Sequence, residues 1–187
     1  MQAGVLQRIG RALRGDASLY QRAASDRTLT REILLMLLAA QVLSGIGFAT
    51  SMAHDEAFTS SDGIGTIALI LLLLAGPLCL LVIEASFSGA VVLASKAIGG
   101  SGTIWGVFRA CAYAWLPNAL DIFVAVPVLG DVCWWVGGLW SIVLTVIAVR
   151  EATATSTGQA IFAFAMPLIV LGVGMAVGAV ALAVVVQ

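Results

Sequence analysis

Charge is scarce in this chain: Asp, Glu, Lys and Arg make up only 10% of its 187 residues, and there is one histidine. With 61% apolar residues and a mean hydropathy of +1.08, a soluble fold of this length would lack a polar shell, so the expected solvent is lipid. The single histidine excludes an HExxH zinc protease and disfavours a Ser/His dyad of the rhomboid kind. There is no GxxxxGK[ST] phosphate loop, and no acid pair is spaced on one helix face for metal-assisted phosphoryl transfer. The three cysteines, Cys79, Cys111 and Cys133, form no CxxC pair and read as small apolar packing residues. A secretory signal peptide is not expected, because the first long apolar run begins only at Ile33. Neither an enzyme nor a cofactor is expected.

What charge there is lies unevenly. Six of the nine basic residues, Arg8, Arg11, Arg14, Arg22, Arg27 and Arg31, fall in the first 31 positions, a distribution that informs topology and not a nucleic-acid partner. Residues 1–31 are read as a cytosolic amphipathic arm. Val5, Leu6, Ile9, Ala12 and Leu13 share one side of a helix, and Gln7, Arg8, Arg11 and Arg14 the other. Such a helix suits the headgroup plane with Arg8, Arg11 and Arg14 among lipid phosphates, although docking to a soluble partner would look the same. The stretch through Asp16, Ser18, Ser25, Asp26 and Thr28 reads as a polar connector.

Residues 32–187 are read as the membrane domain, an all-α polytopic bundle of five transmembrane helices preceded by the short amphipathic interfacial helix. The spans are 33–53, 64–95, 104–126, 132–149 and 162–186, from the rule that about 20 apolar residues cross a core of roughly 30 Å. The third contains Arg109, Pro117 and Asp121, and its charge-free centre is short; Arg109 is expected to snorkel to the inner interface. Trp134, Trp135 and Trp140 are expected to anchor the fourth span at the outer interface. Five spans put all nine basic residues on one side and Asp55, Glu56, Asp62, Asp121 and Asp131 on the other, as the positive-inside rule asks.

Candidate sites are few. Glu84 is an ionisable residue within a span, read either as a proton or cation site or as a carboxylate that is interfacial or hydrogen-bonded in the bundle. His54, Asp55 and Glu56 are consecutive, so their side chains diverge, and a solvated loop is preferred to a metal site. Gly174 and Gly178 form a GxxxG that Ala181 extends, a small-residue face for close packing within the chain or between chains.

Three segments in order, "AIGGSG" with "RACAYAWLP", "VPVLGDVCWWVGGLW" and "GQAIFAFAMPLIV", resemble the membrane domain of the Yip family, the Ypt/Rab-interacting proteins. The residues carrying the resemblance are Gly99, Gly100, Tyr113, Pro117, Pro127, Gly130 and Pro167. It implies five spans, a cytosolic N-terminus, a C-terminus on the opposite side and action by association with other membrane proteins. The resemblance implies binding of Rab-type GTPases as in eukaryotic relatives, which carry a much longer cytosolic segment. The arm here is about thirty residues, which points to a prokaryotic member in a bacterial cytoplasmic membrane. The expected partners are the lipid bilayer and other integral membrane proteins or a second copy, in an organising, trafficking-type or accessory role. The alternative is a small transporter or channel using Glu84 and the proline-bent helices.

Overall fold

The computed structural model describes residues 4–53 and 64–185, with the side chains of 64–66, 68, 69, 72 and 177–185 outside the described set; the acidic loop with His54, Asp55, Glu56 and Asp62 also lies outside it. The described residues are helical and carry no strand. In order they form α1 (Val5–Leu13), α2 (Ala17–Ser25), a 3-10 turn (Arg27–Leu29), α3 (Thr30–Ala53), α4 (Ile64–Ala97), α5 (Ile104–Ala114), a 3-10 segment (Leu116–Phe123), α6 (Leu129–Thr153) and α7 (Thr157–Val185).

The stretch expected to be a connector is a helix. Asp16 caps α2 by accepting from Ser18 N at 3.0 Å, and Leu19 and Tyr20, with Ala23 one helical turn on, make a buried stripe. Capping residues and three buried apolar side chains outweigh the polar average of the segment. Gly15, at φ +70°, closes α1 onto α2, and a side chain there would press on Ile147 and Leu144 of α6. The arm is thus a helical hairpin seated on the bundle.

Four helices among the described residues are long and apolar enough to cross a membrane: Arg27–Ala53, Leu73–Ala97, Leu129–Thr153 and Thr157–Ala176. The expected third span is not one continuous helix. The α-helix ends at Ala114, capped by Trp115, and Pro117 starts the 3-10 segment because its ring cannot continue the α ladder. Residues 106–114 are all buried, so α5 is the central helix, enclosed by α1, α2, α3, α4 and α6.

Close approaches give the directions. Gly102 meets Ala152 and Thr153, Pro117 O meets Gly137, and Val124 O meets Gly130, so residues 102–124 run antiparallel to α6 along its length. Glu32 neighbours Tyr113 and Gly47 meets Asp121, so the same segment runs parallel to α3. Gly89 lies against Ile104 in the opposite sense, and Phe87 stacks edge-on Phe164 of α7 at 5.8 Å. A Cβ at Gly47, Gly130 or Gly137 would overlap backbone of the broken segment, so these glycines let a proline-interrupted chain lie directly against α3 and α6.

At the basic end the turns are tied together. Gly99, at φ +84°, ends α4 with Gly100 N donating to Ser95 O at 2.8 Å, and Ser101 N donates to Thr153 O at 2.8 Å. Ser156 and Gln159 cap α7 reciprocally, Gln159 N to Ser156 Oγ at 3.3 Å and Ser156 N to Gln159 Oε1 at 3.0 Å.

Candidate functional site

Two groups of polar side chains stand out in this apolar bundle. The first fastens the arm. Arg8 Nε donates to Glu32 Oε1 at 2.7 Å, its Nη2 donates to Glu32 Oε2, and Tyr113 Oη reaches Glu32 Oε1 at 3.4 Å. The Glu32 hydrogen bond raises the Arg8 pKa above its ordinary value. Tyr20 Oη donates to Ala12 O at 3.0 Å, and burial pushes that phenol up. Trp140 Nε1 donates to Leu13 O at 2.9 Å, which ties the hairpin to α6 and gives Trp140 a role other than the interfacial anchoring expected of it. Arg109 donates from Nε to Ala23 O at 2.8 Å and from Nη2 to Ala24 O at 2.6 Å. It therefore holds the C-terminal carbonyls of α2, where the helix dipole favours a cation. The residue expected to snorkel is instead buried, 5% exposed.

Arg11 and Arg14 sit at the turn of the hairpin. Arg11 Nε donates to Asp16 Oδ2 at 2.7 Å and its Nη2 to Ser18 Oγ at 2.8 Å. The bond from Arg11, then that from the Ser18 hydroxyl, hold the Asp16 carboxyl down at about 2. Arg8 and Arg11 thus spend their hydrogen-bonding capacity within the protein, whereas Arg14 is exposed.

The second group is a row of buried oxygens around α5. Glu84 is 5% exposed and its Oε1 has no hydrogen-bond partner among the described residues; Ser88 and Ser95 continue the same face of α4, their Oγ atoms likewise without partners there. The spacing of four and then seven residues is that of one helix face. Gln41 Oε1 and Asp121 Oδ1 are also buried and without partners among the described residues, while Asp121 Oδ2 accepts from Ser44 Oγ at 2.9 Å. Glu84 lies twelve residues before Lys96 on α4, about 18 Å along the axis. Among the described residues, no group of three His, Cys, Asp or Glu is placed to hold a metal ion.

The remaining sequence candidates divide by environment. Gly99, Gly100, Tyr113, Pro117 and Gly130 all sit at turns or contacts that join elements, and Pro127 O accepts from Leu129 N at 2.7 Å in the turn before α6. Pro167 lies inside α7. Gly174 is exposed with nothing within 4 Å of a Cβ placed there, and the surroundings of Gly178 and Ala181 lie outside the described side chains. The sequence reading missed Glu32, Gly47 and Gly137. A glutamate at the very start of a span and glycines inside apolar runs were visible, but neither says which partner it meets.

Comparison with curated proteins and with solved structures found no match. The family model of the Yip1 domain matches residues 13–178, which takes in the second half of the arm's hairpin, the central broken segment and the Gly-Gly and Pro-x-x-Gly turns, and the chain therefore belongs to the Yip1 domain family of membrane proteins, generally associated with membrane trafficking.

Proposed function

We propose that this chain acts without catalysis, as an organising or accessory subunit that associates with other membrane proteins through the far half of α7. The observation that carries this reading is that, among the described side chains, α7 packs through its beginning. Ala160 and Ala163 are buried, whereas residues 168–176, beyond Pro167, are exposed all round. A helix with small residues at four-residue spacing lets another backbone approach closely, and in lipid that packing is what drives association. The partner is a transmembrane helix of another protein or of a second copy. With the arm engaged by the bundle through Arg8, Trp140 and Arg109, the family analogy of Rab-type GTPase binding has less support here than a partner within the membrane.

The reading includes five crossings, with the basic end cytosolic in a bacterial cytoplasmic membrane and the C-terminus opposite. Its support is the run of residues 102–124 along the height of α6. Replacing Gly174 and Gly178 together by Leu should lower co-purification of partners, or the dimer fraction, about tenfold in mild detergent, while thermal unfolding of the isolated chain stays unchanged. Undiminished association would remove α7 as the surface. Glu84, buried with a carboxyl oxygen that has no partner among the described residues, favours a second reading, a proton- or cation-coupled transporter.

A further inference from the structure

Arg8, Arg11 and Arg22 each face a carboxylate, Glu32, Asp16 and Asp26 in turn. Arg27 does not: its guanidinium makes no ion pair or side-chain hydrogen bond among the described residues. It lines a cavity of about 460 Å³ together with Thr30, Thr103, Trp105 and Arg109, at the end of the bundle where α3 and α5 begin.

Nearly everything that faces this cavity donates hydrogen bonds. Thr103 caps α5, its Oγ1 accepting from Gly106 N at 3.1 Å, which leaves the hydroxyl hydrogen free. The first amide to bond within the helix is Val107 N, to Thr103 O at 3.0 Å, so the amides of Ile104 and Trp105 are free at the positive end of the α5 dipole. Arg109 is buried and fixed on two carbonyls through Nε and Nη2, and among the described residues no carboxylate pairs with it. The charges acting on it are those of Arg27, which opposes its own, and of Asp26, which is occupied by Thr28 and Arg22. Trp105, 61% exposed, stands beside them with an indole N–H that has no partner among the described residues, as suits a residue at headgroup level. Two guanidinium groups that repel each other, the Thr103 hydroxyl and the start of α5 at Trp105 border a space with no acidic side chain lining it among the described residues.

The geometry points to a phosphate-binding site in this cavity, filled by the headgroup of an anionic phospholipid in the adjoining leaflet. An oxyanion with several acceptor oxygens relieves the repulsion between Arg27 and Arg109 and suits the positive end of the α5 dipole. At this end of a membrane bundle, which also carries Lys96 and Arg150, lipid headgroups are the phosphates at hand. No residue of α7 takes part, so the site stands or falls apart from the association surface.

The test is native mass spectrometry of the full chain in nonionic detergent, titrated separately with dioleoylphosphatidylglycerol, dioleoylphosphatidylcholine and sodium phosphate. Phosphatidylglycerol should be retained in preference to phosphatidylcholine. Arg27→Gln should weaken its retention about fivefold, the effect of one arginine at a membrane surface, without altering lipid-free thermal unfolding. Arg14→Gln removes the same charge from an exposed residue outside the cavity and should leave retention unchanged. Equal effects of the two variants, or none from Arg27→Gln, would overturn the site. Phosphate binding that is sensitive to Arg27→Gln, with no retention of phosphatidylglycerol, would keep the cavity and overturn the lipid as its occupant.

Discussion

At the scale of single residues the sharpest question is what Glu84 does, because it is the buried carboxyl of α4 and its Oε1 has no partner among the described residues. A structural carboxyl needs only its shape and hydrogen-bonding capacity, whereas a coupling carboxyl must change charge as it works. Under the association proposal, Glu84→Gln should assemble, unfold at the same temperature and keep any cellular phenotype, since an amide preserves the shape and most of the bonding. Normal assembly with loss of function, together with pH-dependent flux into liposomes holding the unmodified chain, would instead establish the transporter. Glu84 was legible from sequence because a lone charge in an apolar run is conspicuous. Ser88 and Ser95 were not, because serine is common in apolar helices and only the fold shows that this face is turned inward. The same holds for Gly47: nothing local distinguishes it from Gly45, yet Gly45 meets only the end of the Leu73 side chain and Gly47 abuts the Asp121 backbone.

At the scale of elements the arm separates what patterning reveals from what it hides. The amphipathic face of α1 was readable at helical spacing, but the face predicts burial and not the identity of the covering surface, and here the bundle itself covers part of it. The hairpin turn is held by Arg11 and Asp16, and this makes its closure dependent on pH. The folded Asp16 carboxyl titrates at about 2, below its ordinary value near 4, so its contribution to closure is complete above about pH 4. It is lost as pH falls through about 2. Its side chain is 33% exposed, so solvent screens the pair and the effect is a loosening of the arm, not unfolding of the bundle. Asp16→Asn keeps a good helix cap while removing the charge. Hydrogen exchange over residues 5–25 should be faster in Asp16→Asn than in the unmodified chain at pH 7. The difference should shrink at matched pH below about 2. Equal exchange at pH 7 would show that Trp140 and Arg109 hold the hairpin without the ion pair.

At the scale of the whole molecule the issue is how often the chain crosses. Three of the expected spans, 33–53, 132–149 and 162–186, lie inside α3, α6 and, up to Val185, α7, and the long run 64–95 is the single helix α4. The interrupted span was the weak point in sequence because it holds Arg109, Pro117 and Asp121, and in the structure residues 106–114 of α5 are enclosed by protein. Hydropathy measures compatibility with lipid, so it fails for a segment that neighbouring helices shield from it. Length speaks for a crossing nevertheless. Eleven α-helical residues at 1.5 Å and eight 3-10 residues at about 2.0 Å rise give roughly 32 Å, against a hydrocarbon core of about 30 Å. If residues 104–123 cross in this way, the alternating directions of α3, α4, the broken segment, α6 and α7 put the two ends of the chain on opposite sides. A reporter fused after Gln187 should then read as periplasmic, and one inserted at Thr155, in the turn beside Arg150, as cytosolic. With only four crossings, both ends of the chain would share a side, so a cytosolic signal from the Gln187 fusion alongside a cytosolic N-terminus would demote the central segment to a re-entrant one.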